Sequence, residues 1–254
     1  MKQNEIKVGI VGYGVIGSTF GRWLKEYTEC QIAVSDPPKG INDDLSGCSV
    51  FFIGIHIPTE KDGTQDLTLL KSIIKGLPQA PVVIRTTMLP GTCDRLTQEL
   101  GREVLFMPEF LTERTAYDDF CHQDVIITGA KDILDVIFST KKKIYMTNLE
   151  AEITKYAHNV YGAVAVTYFN GIYELCRNTK ADYEKVRQGF LLSGYIGQTY
   201  THVPGPDGKT GYGGKCFPKD VNAFAEYNKD IRLGELLKTV ARQNEYYRNK
   251  KEEV

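Results

Sequence analysis

Residues 6–17 read Ile-Lys-Val-Gly-Ile-Val-Gly-Tyr-Gly-Val-Ile-Gly, an apolar strand pattern running straight into a G-x-G-x-x-G turn. The run at 6–11 predicts a strand and 15–27 predicts a helix, so the glycines fall at a strand-to-helix turn. Gly12 permits the tight turn, Gly14 lets a pyrophosphate approach the backbone at the helix N-terminus, and Gly17 lets the helix pack close to the sheet. The next apolar run, 31–35, ends at Asp36, 24 residues beyond Gly12. A carboxylate there can bind the hydroxyls of an adenine ribose. No arginine follows Asp36 at once, so a ribose 2′-phosphate would meet repulsion. The cofactor expected is NAD, held by Gly12, Tyr13, Gly14, Val15, Ile16, Gly17 and Asp36.

Working outward, strand patterns recur at 49–55, 81–85, 104–107 and 124–128, with a helix at 67–76. Alternating strands and helices predict an α/β fold, a Rossmann-type doubly wound parallel sheet with helices on both faces. After about Lys143 the period changes. Leu149, Ile153, Tyr156, Val160, Ala163 and Val164 recur at helical spacing, and no proline interrupts 149–177, which predicts one long helix. Shorter helices are predicted at 182–192, 219–227 and 233–248. The expected organisation is a cofactor-binding domain over residues 1–147 and an all-helical domain over 148–254. The Gly-, Pro- and Tyr-rich stretch 194–214 is too long for a simple connector and reads as a functional loop. The charged tail 249–254 is expected to fray.

Composition narrows the class. At ~150 residues per domain, 254 residues give about 1.7 domains. Hydrophobic residues at 42% and charged residues at 25% are ordinary globular values, which excludes disordered and fibrous chains. A net charge of -1 offers no basic footprint for nucleic acid and no polybasic membrane signal. No apolar run approaches the ~18 residues of a membrane span, and the N-terminus enters a strand rather than a signal peptide. A soluble cytoplasmic protein is expected. The six cysteines are scattered with no C-x-x-C pair, so neither a disulfide scaffold nor a metal site is expected.

Four segments carry polar residues where packing alone would not ask for them. Arg85-Thr86-Thr87-Met88-Leu89-Pro90-Gly91-Thr92 follows the fourth strand, at the sheet end where ligands of open α/β folds collect. Pro108-Glu109-Phe110-Leu111-Thr112-Glu113 holds two carboxylates four residues apart. Lys155 and Asn159 lie one turn apart on the long helix and share a face. Gly211-Tyr212-Gly213-Gly214-Lys215-Cys216-Phe217-Pro218-Lys219-Asp220 sets a cysteine beside two lysines, just ahead of a helix that Pro218 can start. Both settings favour a thiolate nucleophile at Cys216. Taken singly, most of these residues have a plainer reading: Lys155 as a solvated helix charge, Asn159 as a surface residue, Glu109 and Glu113 as loop caps. The other five cysteines read as packing residues.

Taken together, the segments resemble the UDP-glucose/GDP-mannose dehydrogenase family. The motifs run in the same order: GYGVIG at 12–17, IPTEKDGTQDLTLL at 57–70, TTMLPGT at 86–92, PEFLTERTAYDDF at 108–120, EAEITKYAHNVYGAVAVTYFNGIYELC at 150–176, and GYGGKCFPKD at 211–220. The resemblance extends from Lys7 to about Arg242. It implies a four-electron oxidation of a nucleotide sugar, from primary alcohol to carboxylate, with NAD. Cys216 would form a thiohemiacetal and then a thioester. Lys155 and Asn159 would stabilise oxyanion character, and Asp220 would hold Lys155 and the water network. Glu109 would assist thioester hydrolysis as a base. Thr87 and Glu113 would lie by the nicotinamide and the catalytic water, with Pro58, Thr59 and Lys219 also toward the cofactor. Phe110, Leu111, Thr112, Gly213 and Tyr200 would line the substrate, Tyr200 at its phosphate.

UDP-glucose is the substrate the resemblance favours; UDP-N-acetylmannosamine, GDP-mannose and a non-catalytic NAD-binding relative are the alternatives. A 6-phosphogluconate-type dehydrogenase would share the layout but would not need the cysteine loop. The family's paired central helices imply a homodimer through 149–177. Two departures stand out. The family's Arg-Ile-Gly is Tyr195-Ile196-Gly197 here, so a cation that reaches the neighbouring subunit's substrate is missing, and Lys209 in the extended loop is a candidate replacement. The sequence also reads as a short form without the family's third, nucleotide-holding domain.

Overall fold

The computed structural model describes every residue except Lys61, Tyr195 and residues 250–254. The Tyr195 departure and most of the charged tail therefore lie outside the described residues. The chain divides into two compact units. One comprises residues 1–58 and 65–155, the other residues 59–64 and 156–254.

The first unit is built on a six-stranded sheet. Strands β1 (Lys7–Val11), β2 (Gln31–Asp36), β3 (Ile41–Asn42), β4 (Val50–Ile53), β5 (Val82–Ile84) and β6 (Val104–Phe106) take the order β3-β2-β1-β4-β5-β6. Only β3 runs antiparallel, because the turn through Pro37, Pro38 and Gly40 reverses the chain directly after β2. The central strands are near-continuous apolar runs, as strands buried on both faces must be. Successive side chains point to opposite faces. Val8, Ile10, Val50, Phe52, Val83 and Leu105 pack with Phe20, Trp23 and Leu24 of α1 (Val15–Tyr27). Val11, Phe51, Ile53, Val82, Ile84, Val104 and Phe106 form a second core. That core includes Leu70 and Ile74 of α2 (Thr68–Gly76) and Cys93 and Leu96 of α3 (Thr92–Leu100). A doubly wound sheet results, as the alternating pattern predicts.

One expectation is corrected. The apolar run at 124–128 does not extend this sheet. After α4 (Ala116–His122), strand β7 (Val125–Ile127) pairs with β8 (Lys143–Tyr145) in a separate two-stranded parallel sheet around α5 (Lys131–Ile137). The reason lies at the edge of β6. The Phe106 N–H donates to Asn148 Oδ1 at 2.9 Å, and Asn148 Nδ2 donates to the Val104 carbonyl at 3.1 Å. One side-chain amide thus occupies the backbone groups that a next strand would use.

Helix α6 (Asn148–Thr179) runs 32 residues and passes from the first unit into the second. Its inward residues differ in part from those the apolar spacing selects. Tyr156, Val160 and Ala163 are buried, but Leu149 and Ile153 are exposed, and Ala151 and Glu152 are buried instead. The second unit continues with α7 (Tyr183–Leu191), α8 (Phe217–Tyr227) and α9 (Arg232–Asn249). Asp182 starts α7 by accepting the Glu184 and Lys185 N–H groups. The described residues between Leu192 and Cys216 form no helix or strand. Tyr183 and Arg187 of α7 tie that long loop down by donating to the carbonyl and hydroxyl of buried Thr201. No helix among the described residues is long and apolar enough to cross a membrane.

Candidate active site

The cofactor cradle lies between β1 and α1. Gly12 has φ +85°, and a Cβ there would come within 2.7 Å of the Gly54 carbonyl oxygen. A Cβ on Gly17 would sit 2.0 Å from the Gly12 carbonyl oxygen, so helix and turn touch through backbone alone. Gly14, the N-cap of α1, differs: nothing lies within 4 Å of the Cβ position, and it and Val15 are exposed. An open face at a helix N-terminus, with N–H groups unsatisfied by the helix, fits a pyrophosphate. Asp36 at the end of β2 accepts the Tyr13 N–H at 2.7 Å through Oδ2, which sets its carboxylate beside the turn. Lys39 donates to the Tyr13 carbonyl at 2.7 Å. These residues fit a dinucleotide.

At the carboxyl ends of β5 and β6, the same unit assembles the first group of candidate chemical residues. Lys155 Nζ donates to the Glu109 carbonyl and lies 3.1 Å from Glu109 Oε1, with both side chains nearly buried. The other carboxylate oxygen accepts the Leu111 N–H at 2.7 Å. Lys155 Nζ also stands 5.4 Å from the Phe110 ring centre. Glu109, Phe110, Leu111 and Lys155 are thus one cluster. The Thr112 N–H donates to Asp119, and Glu113 is exposed on the adjoining turn. Thr87 is half-buried. Its carbonyl accepts from Gln65 Nε2 at 3.0 Å, while Gln65 Oε1 accepts the Leu89 N–H at 2.9 Å.

Two ionisable side chains are buried beside this loop. Glu152 of α6, fully buried, accepts the Gly91 N–H at 2.6 Å and the Cys93 N–H at 2.9 Å, capping α3. Burial raises the Glu152 carboxyl above its ordinary range, and those two donors oppose the rise. Arg85, 2% exposed, lies 5.3 Å from the Phe20 ring centre and 5.1 Å from that of Phe120. Burial brings its guanidinium down to about 10.

The second unit carries the other candidates. Cys216 is the exposed N-cap residue of α8, and Pro218 lies in the helix's first turn. All six cysteines are thiols. Inside α8, fully buried Asp220 accepts from Asn159 Nδ2 at 2.6 Å and from Lys219 Nζ. Asn159, Asp220 and Lys219 therefore form a second cluster. Tyr200 adopts φ +69°, unusual for a residue with a side chain. Its ring stands 5.6 Å from that of Phe217, and both rings crowd the position a Cβ on Gly162 would take. Burial, with the neighbouring Tyr161, raises its hydroxyl above the ordinary range. In the 59–64 segment, Thr59 Oγ1 is buried and has no hydrogen-bond partner among the described residues, while Pro58 is exposed in the first unit.

Residues 38–148 match the NAD binding domain of the UDP-glucose/GDP-mannose dehydrogenase family, and residues 149–246 match its central domain. The chain belongs to that family. A UDP-glucose 6-dehydrogenase of Bacillus subtilis is 31% identical over 221 residues, 79% of this chain and 49% of the relative. A UDP-glucose 6-dehydrogenase of Pseudomonas aeruginosa is 31% identical over 208 residues, 72% of this chain and 45% of the relative. The chain spans about half the length of the curated relatives it matches. A UDP-glucose dehydrogenase from Pyrobaculum islandicum shares the fold, with TM-score 0.81 at 22% identity, covering 95% of this chain and 68% of that structure. The match to the family's NAD binding domain begins at residue 38, beyond the cradle at Gly12–Gly17, and it indicates NAD as the cofactor.

Several polar residues that organise these clusters take no role from the motif reading. Gln65, Asn148, Glu152, Asn170 and Asn244 bond backbone groups distant in sequence, and Arg248 pairs with the Asp207 side chain. Glu152 alone leaves a trace, a charge four residues before buried Tyr156 and so on its face of the helix. Lys209 is exposed. It is Arg248 that pairs with Asp207 in the extended loop, at 2.7 Å, and overlies Gly213.

Proposed function

We propose that the chain oxidises the primary alcohol of a nucleotide sugar to a carboxylate with NAD, UDP-glucose foremost, through a thioester on Cys216. The observation that carries this reading is Cys216 itself, an exposed thiol at the N-terminus of α8, reached through a glycine loop. The macrodipole of α8 favours the thiolate there. Bound NAD supplies a hydride acceptor for each of two oxidations. At the aldehyde stage the Cys216 sulfur bonds the carbonyl carbon, and the oxygen takes the displaced electron pair. Lys155 and Asn159, both donors, stabilise that oxygen. Loss of hydride from the same carbon restores the carbonyl as a thioester. Glu109 draws a proton from the attacking water, the carbon–sulfur bond breaks, and the thiol is regenerated with the carboxylate product.

Asp220 orients Asn159 and Lys219, the carboxylate serving as acceptor to both. Thr87, Glu113, Pro58, Thr59 and Lys219 are assigned toward the cofactor. Phe110, Leu111, Thr112, Tyr200 and Gly213 are assigned toward the sugar nucleotide. On this reading residues 1–147 bind NAD and 148–254 supply the cysteine loop and a dimer helix. Tyr161, Tyr168 and Leu175 on α6 are exposed at seven-residue spacing, an apolar stripe suited to a second copy of the chain. Reduced thiols and NAD chemistry suit the cytoplasm.

The test is a panel of UDP-glucose, UDP-N-acetylmannosamine and GDP-mannose with NAD, following NADH. UDP-glucose should give two NADH per sugar. NAD binding by calorimetry with no NADH from any sugar would contradict the reading and favour a non-catalytic relative.

A further inference from the structure

Among the described residues the glycine loop that leads to Cys216 pairs with no strand, and side chains from two helices hold it instead. Asn170 on α6 accepts the Gly211 N–H at 2.9 Å. Asn244 on α9 accepts the Tyr212 N–H at 2.6 Å and donates Nδ2 to the Tyr212 carbonyl at 3.1 Å. One amide thus satisfies both backbone polar groups of a single residue, as a neighbouring strand would. Asn170 is 2% exposed and Asn244 8% exposed, so water cannot readily replace either. The Thr210 hydroxyl adds a bond to the Tyr247 carbonyl at 2.7 Å. The fit leaves no spare room: a Cβ on Gly211, at φ +73°, would stand 2.6 Å from Asn244 Oδ1.

We propose that Asn244 is a positioning residue for the oxidation. By fixing the backbone at Tyr212 it sets the reach of the Cys216 thiol, four residues on, toward the substrate carbon. The proposal rests on Cys216 being the nucleophile. Reacting atoms must be held about 3–3.5 Å apart, and a loop containing Gly211, Gly213 and Gly214 has little stiffness of its own. Asn244 serves the cysteine-dependent second oxidation and has no role in cofactor binding. Its loss therefore slows the second hydride transfer more than the first.

The experiment uses the full chain with limiting nucleotide sugar, counting NADH and released aldehyde for wild type, Asn244→Ala and Asn244→Asp. In Asn244→Ala the second oxidation should slow by roughly tenfold to a hundredfold relative to the first. Aldehyde should then accumulate, NADH per sugar should fall toward one, and NAD affinity should be unchanged. Asn244→Asp keeps the acceptor for the Tyr212 N–H and should recover part of the loss. If the alanine variant does not fold, the aspartate variant carries the same comparison with wild type. An unchanged ratio of the two steps, with only a lower melting temperature, would overturn the proposal. A wild type whose oxidation is independent of Cys216 would instead overturn the reading beneath it.

Discussion

Two glycine-rich loops open two helices in this molecule, and they need their glycines for different reasons. At 12–17 the constraint is backbone against backbone, since Gly17 touches the Gly12 carbonyl and Gly12 touches the Gly54 carbonyl. At 211–214 it is backbone against side chain, since Asn244 faces Gly211 and the Arg248 guanidinium faces Gly213. The helix caps differ as well. Gly14 opens α1 with no side chain, leaving its N–H groups to an anion, whereas Cys216 opens α8 with a thiol. The first loop is shaped by the fold's own backbone. The second carries the Cys216 thiol, and Asn170 and Asn244, on helices remote in sequence, hold it in place.

The contrast can be broken by adding one methyl group at a time. Gly17→Ala should have the largest effect: its Cβ meets rigid backbone at 2.0 Å, so the variant should lose about 3 kcal/mol or more. Urea unfolding would register that as a lowered midpoint at unchanged slope. Gly14→Ala should keep its stability, because its Cβ meets nothing within 4 Å, yet lose NAD affinity about tenfold, ~1.4 kcal/mol, in a calorimetric titration. Loss of fold without loss of affinity would reverse the assignment of these two glycines. Gly213→Ala should be mildest, under about 1 kcal/mol, because the far end of Arg248 can swing aside. A cost matching that of Gly17→Ala would mean the second loop is as rigid as the first.

The same contrast explains what could be read without coordinates. The cradle from Gly12 to Asp36 was legible because each residue's duty is set within one strand–turn–helix unit and the strand after it. Cys216 was legible for a related reason, since Pro218 and the glycines flank it directly. Asn148 was not, because its partners at Val104 and Phe106 lie more than forty residues earlier, and its effect was to stop a strand joining the sheet. Glu152 displaced Leu149 and Ile153 from the expected inward face because the N-terminus of α3 offered a carboxylate two donors. Polar side chains that bond distant backbone carry no periodicity, so neither spacing nor composition marks them.

The most direct test concerns Cys216. With NAD and limiting UDP-glucose, wild type should release two NADH per sugar and the uronate. In Cys216→Ser, uronate formation should fall by at least about a thousandfold. Full turnover to the uronate by Cys216→Ser would contradict the account.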